Sequence, residues 1–240
     1  MILLRHSICL LYTDQNSNRM KYLSLSFVFT ILVTFSGCGS EPASSNHVDE
    51  SWAPSSPEQL KGLSRAYFAS GCFWCVEAIF ESVKGVKEAV SGYAGGDELK
   101  PTYRQVGGGT TGHTETVEVY YDPEIISYET LVKVFYGSHD PTTVNGQAPD
   151  YGTQYRSAIF YLNEEERKIA EDFKKELSAS GEYSEPIATE IAPLKKFWPA
   201  EAYHQNYERL HPDQPYVRGV SLPRLNRFKA KFPELLKEER

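Results

Sequence analysis

The sequence predicts an α+β domain: helices pack on a central mixed sheet, in two layers with a ferredoxin-like core, and a long irregular C-terminal wrap follows. Three observations predict this fold. Apolar and polar residues alternate in short runs, most clearly in Thr114–Tyr121, as in a half-buried strand. Other runs carry apolar residues at helical spacing, as in Phe73–Lys84. The two kinds of run alternate along the chain, which favours one sheet covered by helices.

The first two elements are a strand and a helix that flank Gly71. Arg65–Ser70 (RAYFAS) alternates apolar and polar residues, which predicts the strand. Phe73–Lys84 predicts the helix, and Gly85 ends it. One face of this helix carries the apolar residues Val76, Ile79, Phe80 and Val83.

The middle of the domain contains a second strand and a second helix. Thr114–Tyr121 (TETVEVYY) alternates strongly and is closed by Asp122 and Pro123. Ser127–Tyr136 has a serine three residues before Thr130, a pattern typical of a helix start. The helix carries Leu131, Val134 and Phe135 on one side.

The last predicted elements are a strand, a charged helix and a further strand. They span Arg156–Leu162, Glu164–Ser178 with Asn163 as its cap, and Pro186–Ile191. From Pro193 onward the chain is aromatic and interrupted by prolines, which predicts the wrap rather than another layer. Long ordered stretches of this kind usually line functional clefts.

Composition limits the classes of function. The 240 residues carry a formal charge of -7 and contain no basic block, so a nucleic acid is not expected as a partner. Four cysteines are too few for a secreted disulfide scaffold. Stability must therefore come from a core, and the central pair, Cys72 and Cys75, is free for chemistry.

The N-terminal region predicts an export signal. Tyr22–Ser36 is apolar and uncharged but short for a membrane-spanning helix, and Met20 with Lys21 before it suits a true start at Met20. Gly37 and Cys38 follow, and the arrangement resembles a bacterial lipoprotein signal over residues 1–38, with Cys38 as the lipid anchor. An ordinary cleaved signal and an uncleaved anchor remain alternatives. All three would export the domain, and a lipid would tether it to a membrane surface.

The segment between this signal and the first strand predicts a linker. Residues 39–62 are rich in Ser, Pro and acidic residues and contain few apolar ones. Residues 63–240 are then expected to form the folded domain.

Cys72 and Cys75 form the strongest candidate site. Cys72 follows a strand and a glycine and opens a helix, where unpaired N–H groups and the helix dipole favour a thiolate. Cys75 is one turn away, within reach for a disulfide. Phe73 and Trp74 between them would grip a methyl or thioether group. A zinc half-site, a thioredoxin-like redox pair and a buried structural pair remain alternatives.

Two further clusters carry polar candidates. The glycine-rich stretch before Thr114 leads to Glu115, at a strand start where a carboxyl can point into a cleft. Glu118, further along the same strand and expected on the same face, is the alternative acid. The loop from Ser138 to Ser157 offers Asp150, Tyr151 and Tyr155.

Together the clusters resemble the peptide methionine sulfoxide reductase A family. The motifs are Gly71-Cys72-Phe73-Trp74, Gly112-His113-Thr114-Glu115, His139-Asp140-Pro141-Thr142-Thr143 with Gly152-Thr153-Gln154-Tyr155-Arg156-Ser157, and Pro199-Ala200-Glu201 with Tyr203-His204-Gln205. They run from about Arg65 to Tyr207 in the family's order. Many members have glycine in place of Cys75 and resolving cysteines near the C-terminus, but this chain has no cysteine after Cys75.

The resemblance implies a role for each matched residue. Cys72 resembles the nucleophile, Glu115 the acid that protonates the sulfoxide oxygen, and Tyr103 and Tyr155 the hydroxyls that hold it. Asp150 resembles a supporting polar residue, and Phe73 and Trp74 the walls around the substrate methyl. Because no other cysteine is near, Cys75 is implied as the recycling thiol. His113 and His204 are expected to be structural.

The implied activity is reduction of the S epimer of methionine sulfoxide, in oxidised proteins and peptides, without a bound cofactor. An external dithiol such as a thioredoxin-like protein would reduce the resulting disulfide. Two other functions remain open: an exported thiol–disulfide oxidoreductase, which would not need Glu115, and a surface lipoprotein that binds peptides without either cysteine.

Overall fold

The central sheet is mixed and has six strands. A computed structural model describes residues 55, 56 and 58–238. The strand order is β7-β6-β1-β3-β2-β8, and all neighbours are antiparallel except β6 and β7, which are parallel. The strands are β1 (Ser64–Ser70), β2 (Val86–Ala94), β3 (Thr114–Tyr121), β6 (Ser157–Tyr161), β7 (Glu190–Pro193) and β8 (Trp198–Pro199), and a separate hairpin pairs β4 (Gly146–Gln147) with β5 (Asp150–Tyr151).

Helices cover one face of the sheet. The described residues contain six α-helices: α1 (Phe73–Glu81), α2 (Tyr103–Gly107), α3 (Tyr128–Gly137), α4 (Glu164–Ala179), α5 (Tyr207–Leu210) and α6 (Leu222–Lys231). The larger core cluster joins α1, α3, α4 and α6 to side chains such as Phe68 on β1. Its neighbours Tyr67 and Ala69 point to the other face, where a smaller cluster packs under Phe197. This layered α+β arrangement confirms the predicted fold class, whereas the ferredoxin-like core stays a prediction.

Local signals explain the helix boundaries. Ser127 accepts a hydrogen bond from the N–H of Thr130 at 3.1 Å, and Asn163 accepts one from Glu166 at 2.9 Å, so both predicted caps are confirmed. Helix α1 ends at Glu81 rather than at Lys84. The next turn leaves the helix because Val83 pairs with Leu236 in an isolated bridge.

Strand β2 was missing from the sequence prediction. It lies between β3 and β8, and nearly all its residues are buried. The buried polar residues Glu88 and Ser91 hide the alternation that would reveal a strand. Gly92 is required because an added Cβ would lie 2.4 Å from the carbonyl oxygen of Trp198 on the edge strand β8.

Two C-terminal predictions need correction. The strand expected at Pro186–Ile191 begins only at Glu190, because Pro186 has no N–H and Ala188 donates instead to the Pro141 carbonyl at 2.8 Å. The wrap after Pro193 is irregular only in part, since it contains α6. Pro223 lies in the first turn of α6, where a missing N–H costs no hydrogen bond.

The signal predicted over residues 1–38 and most of the linker predicted over residues 39–62 lie outside the described residues. Within the part that is described, none of the helices has the length and apolar character to cross a membrane.

Candidate active site

The candidate site starts at the junction of β1 and α1. Gly71 joins them with a φ of 84°, a backbone conformation that favours glycine. An added Cβ would also lie 2.7 Å from the Cβ of Gln147 in the β4–β5 hairpin. The glycine therefore lets the hairpin close over the junction and sets Cys72 immediately before the first helical residue.

Cys72 and Cys75 occupy one helical turn as free thiols. Cys72 is the N-cap residue, and its carbonyl oxygen accepts hydrogen bonds from the N–H groups of Cys75 at 3.2 Å and Val76 at 3.3 Å. Both thiols are buried, with 7% of Cys72 and 1% of Cys75 exposed. The structure thus brings the predicted pair together.

The hydrogen bond between the two thiols shifts their pKa values in opposite directions. Burial raises the pKa of the Cys72 thiol, and its hydrogen bond to Cys75 raises it further. The same hydrogen bond lowers the pKa of Cys75, against burial and with help from the Arg224 guanidinium. Burial and the neighbouring sulfur therefore oppose the effect of the helix terminus, which was expected to favour a thiolate at Cys72.

Glu115 lies at the same helix terminus. It opens β3 opposite Tyr93, and its Oε2 accepts a hydrogen bond from the N–H of Phe73 at 2.9 Å. Only 2% of the residue is exposed. Burial raises the pKa of this carboxyl to about 8, although the Phe73 hydrogen bond opposes the rise. The carboxyl is therefore mostly protonated at neutral pH, beside the nucleophile.

Glu118 faces away from this site, and its expected position on the same face is wrong. Three residues separate it from Glu115, and side chains alternate between the faces of a strand. Its Oε1 accepts a hydrogen bond from the Tyr67 hydroxyl at 2.5 Å and lies 3.5 Å from Arg65 on the far side of the sheet. Glu118 therefore has no place in the chemistry at Cys72.

Tyr103 and Tyr155 lie near the thiol and the carboxyl. Tyr103 begins α2, where its N–H donates to Glu201 at 3.0 Å, and Tyr155 ends a 3-10 turn. Burial raises the pKa of Tyr103 to about 12, and that of Tyr155 also rises, with added repulsion from Glu115 and Cys72 in both cases. Both hydroxyls therefore keep their protons and can donate them to an oxygen bound at this point.

Asp150 reaches the site from the hairpin. Its carboxylate accepts a hydrogen bond from the Tyr216 hydroxyl. Burial raises the pKa of Asp150, while the Tyr216 hydrogen bond and the charge of Arg224 oppose that rise. The predicted supporting residue is thus present, and it holds a tyrosine that the sequence did not reveal.

Phe73 and Trp74 form an aromatic wall with C-terminal residues. Phe73 is 1% exposed, and its ring lies 5.0 Å from that of His204. Trp74 is half-buried and stacks on Tyr207 at 3.8 Å, and its Nε1–H donates to His204 Nδ1 at 3.2 Å. Burial lowers the pKa of His204 to about 4, so the ring is neutral. Trp74 is thus the more accessible part of this wall.

Two motif histidines shape the site without entering it. His113 is buried, accepts from the N–H of Gly96 at 3.2 Å and contacts the Glu98 carbonyl at 2.8 Å. His139 bridges the Phe135 carbonyl and the Ser157 hydroxyl, both at 2.8 Å. Within residues 58–238, no cluster of three histidine, cysteine or acidic side chains could hold a metal ion.

The C-terminal segment supplies residues that the sequence did not reveal. After the hydrogen bond from Cys72, Arg224, Ser221 and Tyr216 also lower the pKa of the Cys75 thiol. Tyr216 and Arg224 border a cleft of about 470 Å³ that reaches Cys75 between α6 and the loop after α3. One signal could have indicated Arg224: it stands on the apolar face of α6 beside Leu225 and Phe228, where an arginine must find buried partners.

Comparisons with known proteins agree with this arrangement. The family model described as peptide methionine sulfoxide reductase matches residues 64–236. The peptide methionine sulfoxide reductase MsrA of Thermus thermophilus is 47% identical over 181 residues, covering 75% of this chain and 99% of the relative. That of Polynucleobacter asymbioticus is 45% identical over 179 residues, covering 75% and 94%.

A solved structure shows the same fold. Methionine sulfoxide reductase A of Corynebacterium diphtheriae superposes with a TM-score of 0.57 at 38% identity, covering 63% of this chain and 76% of that one. The matched region contains the β1–α1 junction, β3 and the loop that carries Asp150 and Tyr155. The chain therefore belongs to the peptide methionine sulfoxide reductase family.

Proposed function

We propose that this protein reduces the S epimer of methionine sulfoxide, in proteins, in peptides and as the free amino acid, with Cys72 as nucleophile. One observation carries the proposal: a thiol and a carboxyl that is protonated at neutral pH meet at one helix terminus. Sulfoxide reduction needs this combination, because the thiol must attack sulfur while an acid protonates the departing oxygen.

The first step joins Cys72 to the substrate sulfur. The proton of Cys72 passes along its hydrogen bond to Cys75, and the thiolate attacks. Glu115 gives its proton to the sulfoxide oxygen as the S–O bond weakens, and the hydroxyls of Tyr103 and Tyr155 donate hydrogen bonds to that oxygen. The protonated oxygen then passes from the substrate sulfur to the Cys72 sulfur as the bond between the two sulfurs breaks, so that methionine leaves and Cys72 remains as a sulfenic acid.

The aromatic residues would hold the non-reacting end of the substrate. Trp74 presents an apolar face beside the thiol, backed by Phe73 and His204. A thioether methyl has no polar group to satisfy and gains from leaving water in such a place. Asp150 would keep Tyr216 oriented toward the two sulfurs.

The cycle closes when Cys75 attacks the sulfenic acid and a disulfide forms. We infer that an external dithiol of the thioredoxin type then reduces it by thiol–disulfide exchange. Among residues 58–238 the free thiols are Cys72 and Cys75, which supports assigning the recycling to this pair.

The test is reduction of the separated S and R epimers of a blocked methionine sulfoxide with dithiothreitol. Wild type should reduce only the S epimer, and Cys72→Ser should be inactive. Cys75→Ser should still form one equivalent of methionine per protein without an intramolecular disulfide. Folded wild type that reduces neither epimer but reduces insulin disulfides would instead support the thiol–disulfide oxidoreductase.

The predicted reductant can be tested in the same assay. Replacing dithiothreitol with thioredoxin, its reductase and NADPH should sustain wild-type turnover. Cys75→Ser should stop after the first equivalent, because its sulfenic acid offers thioredoxin no disulfide. Equal multiple turnover by wild type and Cys75→Ser with thioredoxin would contradict this recycling route.

We also propose export with a lipid on Cys38, supported by the apolar run Tyr22–Ser36 and the small residues before this cysteine. The full chain, produced in a Gram-negative host, should enter the detergent phase of a Triton X-114 partition, and Cys38→Ala should not. Both proteins in the detergent phase would indicate an uncleaved anchor, and both in water a cleaved signal.

A further inference from the structure

Arg224 is a buried cation whose hydrogen bonds all go to neutral oxygens. Only 8% of the residue is exposed. Its Nε donates to the Ser138 carbonyl at 2.8 Å, and its Nη1 and Nη2 donate to the carbonyl and hydroxyl of Ser70 at 2.9 and 3.0 Å. Among the described residues, no ion pair joins this guanidinium to a carboxylate. A buried charge is costly unless an opposite charge lies near it, so an anion is expected here.

The Cys75 sulfur is a candidate for this anion. Cys75 lies on the same cleft wall as Arg224, and the guanidinium stabilises its charged form. The charge of Arg224 also lowers the pKa values of Asp150 and Glu208. Each of these carboxyls already has a hydroxyl partner: Asp150 accepts a hydrogen bond from Tyr216, and Glu208 accepts one from Ser221. The arrangement therefore leaves the thiolate of Cys75 as the charge that Arg224 compensates.

Two hydroxyls complete the surroundings of this sulfur. Tyr216 and Ser221 both lie within hydrogen-bonding reach of Cys75. Ser221 is fully buried and ends a π-helical turn, Val217–Ser221, and such turns occur often at functional sites. The wider turn brings this hydroxyl and Arg224 to Cys75 from one segment of chain.

The hydrogen-bond partner of Ser221 determines whether its hydroxyl can donate to Cys75. Its Oγ is hydrogen-bonded to the carboxyl of Glu208, which is 6% exposed. Burial raises the pKa of Glu208, which favours its protonated form. When Glu208 is protonated it can donate to Ser221 instead of accepting from it, and the hydroxyl proton is then free to point at Cys75. Ser221 thus donates to the thiolate without leaving the carboxyl unsatisfied.

We propose that Tyr216, Ser221 and Arg224 form an anion pocket that holds Cys75 as a thiolate, ready to attack the sulfenic acid on Cys72. The proposal rests on the proposed function and assigns the recycling half of the cycle to the C-terminal segment. It also explains how a buried thiol can resolve the intermediate with no external base.

The resolving step is balanced without a further reactant. Cys75 takes up the proton of Cys72 during the first step and releases it again to solvent. Its thiolate then attacks the Cys72 sulfur, so that the S–S bond forms and the S–O bond breaks. The oxygen leaves as hydroxide and takes a proton to become water. The Cys75 sulfur is oxidised and the Cys72 sulfur is reduced.

Several ionisable groups face Cys75 and contribute to its titration. They come from every element packed against it: Cys72 on the same turn, Glu115 on β3, Asp150 and His139 across the cleft, Glu208 on α5, Tyr216, and Arg224 and the exposed Arg227 and Lys231 on α6. A test must therefore distinguish the effect of groups that contact the Cys75 sulfur from the effect of charges that lie further away.

The first test titrates Cys75 directly by thiolate absorbance at 240 nm. The protein is the full chain carrying Cys72→Ser, and Cys72→Ser/Cys75→Ser is subtracted to remove other absorbance. We expect a midpoint at least about one unit below the ordinary thiol value of roughly 8.5. Ser221→Ala should raise it by roughly half a unit to one unit, and Arg224→Met by more. An ordinary midpoint that neither variant moves would overturn the proposal.

Matched variants guard against loss of structure. Lys231→Met removes a cation from the same cleft without contacting Cys75, so it should leave the midpoint in place. Arg224→Lys keeps the charge and should recover part of the shift seen for Arg224→Met. If Arg224→Met does not fold, the titration midpoint of Ser221→Ala still tests the anion pocket. This variant removes one hydroxyl and no charge, so it disturbs the fold less. If Lys231→Met shifted the titration midpoint of Cys75 as much as Ser221→Ala does, direct contact with the sulfur would not explain the shift, and the anion pocket would be contradicted.

The second test separates the two steps in a single turnover. Ser221→Ala should lose thiols to the disulfide, after methionine has formed, roughly 3- to 10-fold more slowly than wild type at pH 7. The two rates of disulfide formation should converge above about pH 9.5, where Cys75 is ionised in both proteins. A rate difference that persists unchanged at high pH would contradict the pocket. If no sulfoxide is reduced at all, the proposed function fails. The titration midpoint of Cys75 still tests the anion pocket in that case, because it does not depend on turnover.

Discussion

At the scale of single residues, Glu115 is governed by two opposing effects. Removal from water favours its neutral form, and the Phe73 N–H favours its charged form. Burial wins, because its pKa rises to about 8 despite the hydrogen bond. A carboxyl in this state is an acid that is loaded at neutral pH, which is what a departing sulfoxide oxygen needs.

Replacing this acid should therefore stop the first step. Glu115→Gln keeps the shape and the hydrogen bond from Phe73 but carries no transferable proton. We expect methionine formation in a single turnover to fall roughly 10²- to 10⁴-fold, the usual contribution of general acid catalysis. Glu118→Gln is the matched control: it changes the same residue type three positions along β3 but on the other face, and should stay within about twofold of wild type. Equal loss in both variants would remove Glu115 from its role.

The same carboxyl should determine the alkaline limit of the reaction. Since Glu115 donates only when protonated, the rate of methionine formation should fall as the pH rises through about 8, by about tenfold per unit well above it. Single turnovers between pH 6 and 10 measure this limb. In Glu115→Gln the falling limb should be absent, and a wild-type rate that keeps rising to pH 10 would contradict the assignment.

Residue by residue, the site was predictable where a motif names its chemistry. Cys72, Glu115 and Tyr155 stand in such motifs, Tyr103 and Asp150 were implied by the family resemblance, and all five lie close enough to interact in the structure. Tyr216, Ser221 and Arg224 do not, because they act through the fold of a segment that has no recognisable spacing. The ionisation of the cysteine pair was also out of reach, since it depends on burial that a sequence does not show.

At the scale of elements, the β1–α1 junction positions the nucleophile. Gly71 has a φ of 84° and lies against the hairpin, so both its conformation and its lack of a side chain are used. Gly62 has the same φ of 84° but no atom within 4 Å of a Cβ added there. A comparison of the two glycines therefore distinguishes the cost of backbone strain from the cost of steric crowding.

Substitution of these two glycines should give different results. Gly62→Ala should cost about 1 kcal/mol of unfolding free energy, from left-handed backbone alone, with normal turnover. Gly71→Ala should cost more and reduce turnover, because the hairpin or Cys72 must move to relieve a 2.7 Å contact. Urea unfolding and S-epimer reduction measure both effects. Normal turnover in Gly71→Ala would show that the junction tolerates displacement of the hairpin.

Elements were predictable where one pattern dominated. The alternation in β3 and the caps of α3 and α4 gave their positions closely. Strand β2 escaped because it is buried on both faces and includes polar residues that bond inward. Helix α6 escaped because prolines and charges surround its narrow apolar face.

At the scale of the whole molecule, a buried carboxyl ties three parts of the fold together. Glu77 on α1 accepts a hydrogen bond from the Ser91 hydroxyl on β2 and one from the Asn206 N–H at 2.5 Å, in the C-terminal segment. The C-terminal segment that reaches Cys75 is thus anchored to the helix that carries both thiols. No sequence pattern predicts this contact, since 129 residues separate Glu77 from Asn206.

The anchor has a consequence for stability that depends on pH. Burial raises the pKa of Glu77 to about 8, well above the ordinary value of 4.5. Between these values the folded protein keeps a proton that the unfolded chain has lost. The free energy of unfolding must therefore decrease as the pH rises through this window, by about 1.4 kcal/mol per unit for one such group. Glu115 acts in the same direction.

Glu77→Gln should remove the contribution of this one group. The amide can still accept from Asn206 and donate to Ser91, but it cannot ionise. Between pH 6 and 8 the wild type should therefore lose about 1.4 kcal/mol per unit more than the variant, and the two slopes should become parallel above about pH 9. Urea unfolding at pH 6, 7, 8 and 9 gives both slopes, with the exposed Glu124→Gln as a control that should follow wild type. If wild type and Glu77→Gln run parallel across the whole range, the carboxyl is already ionised in the folded protein, and its two hydrogen bonds outweigh its burial.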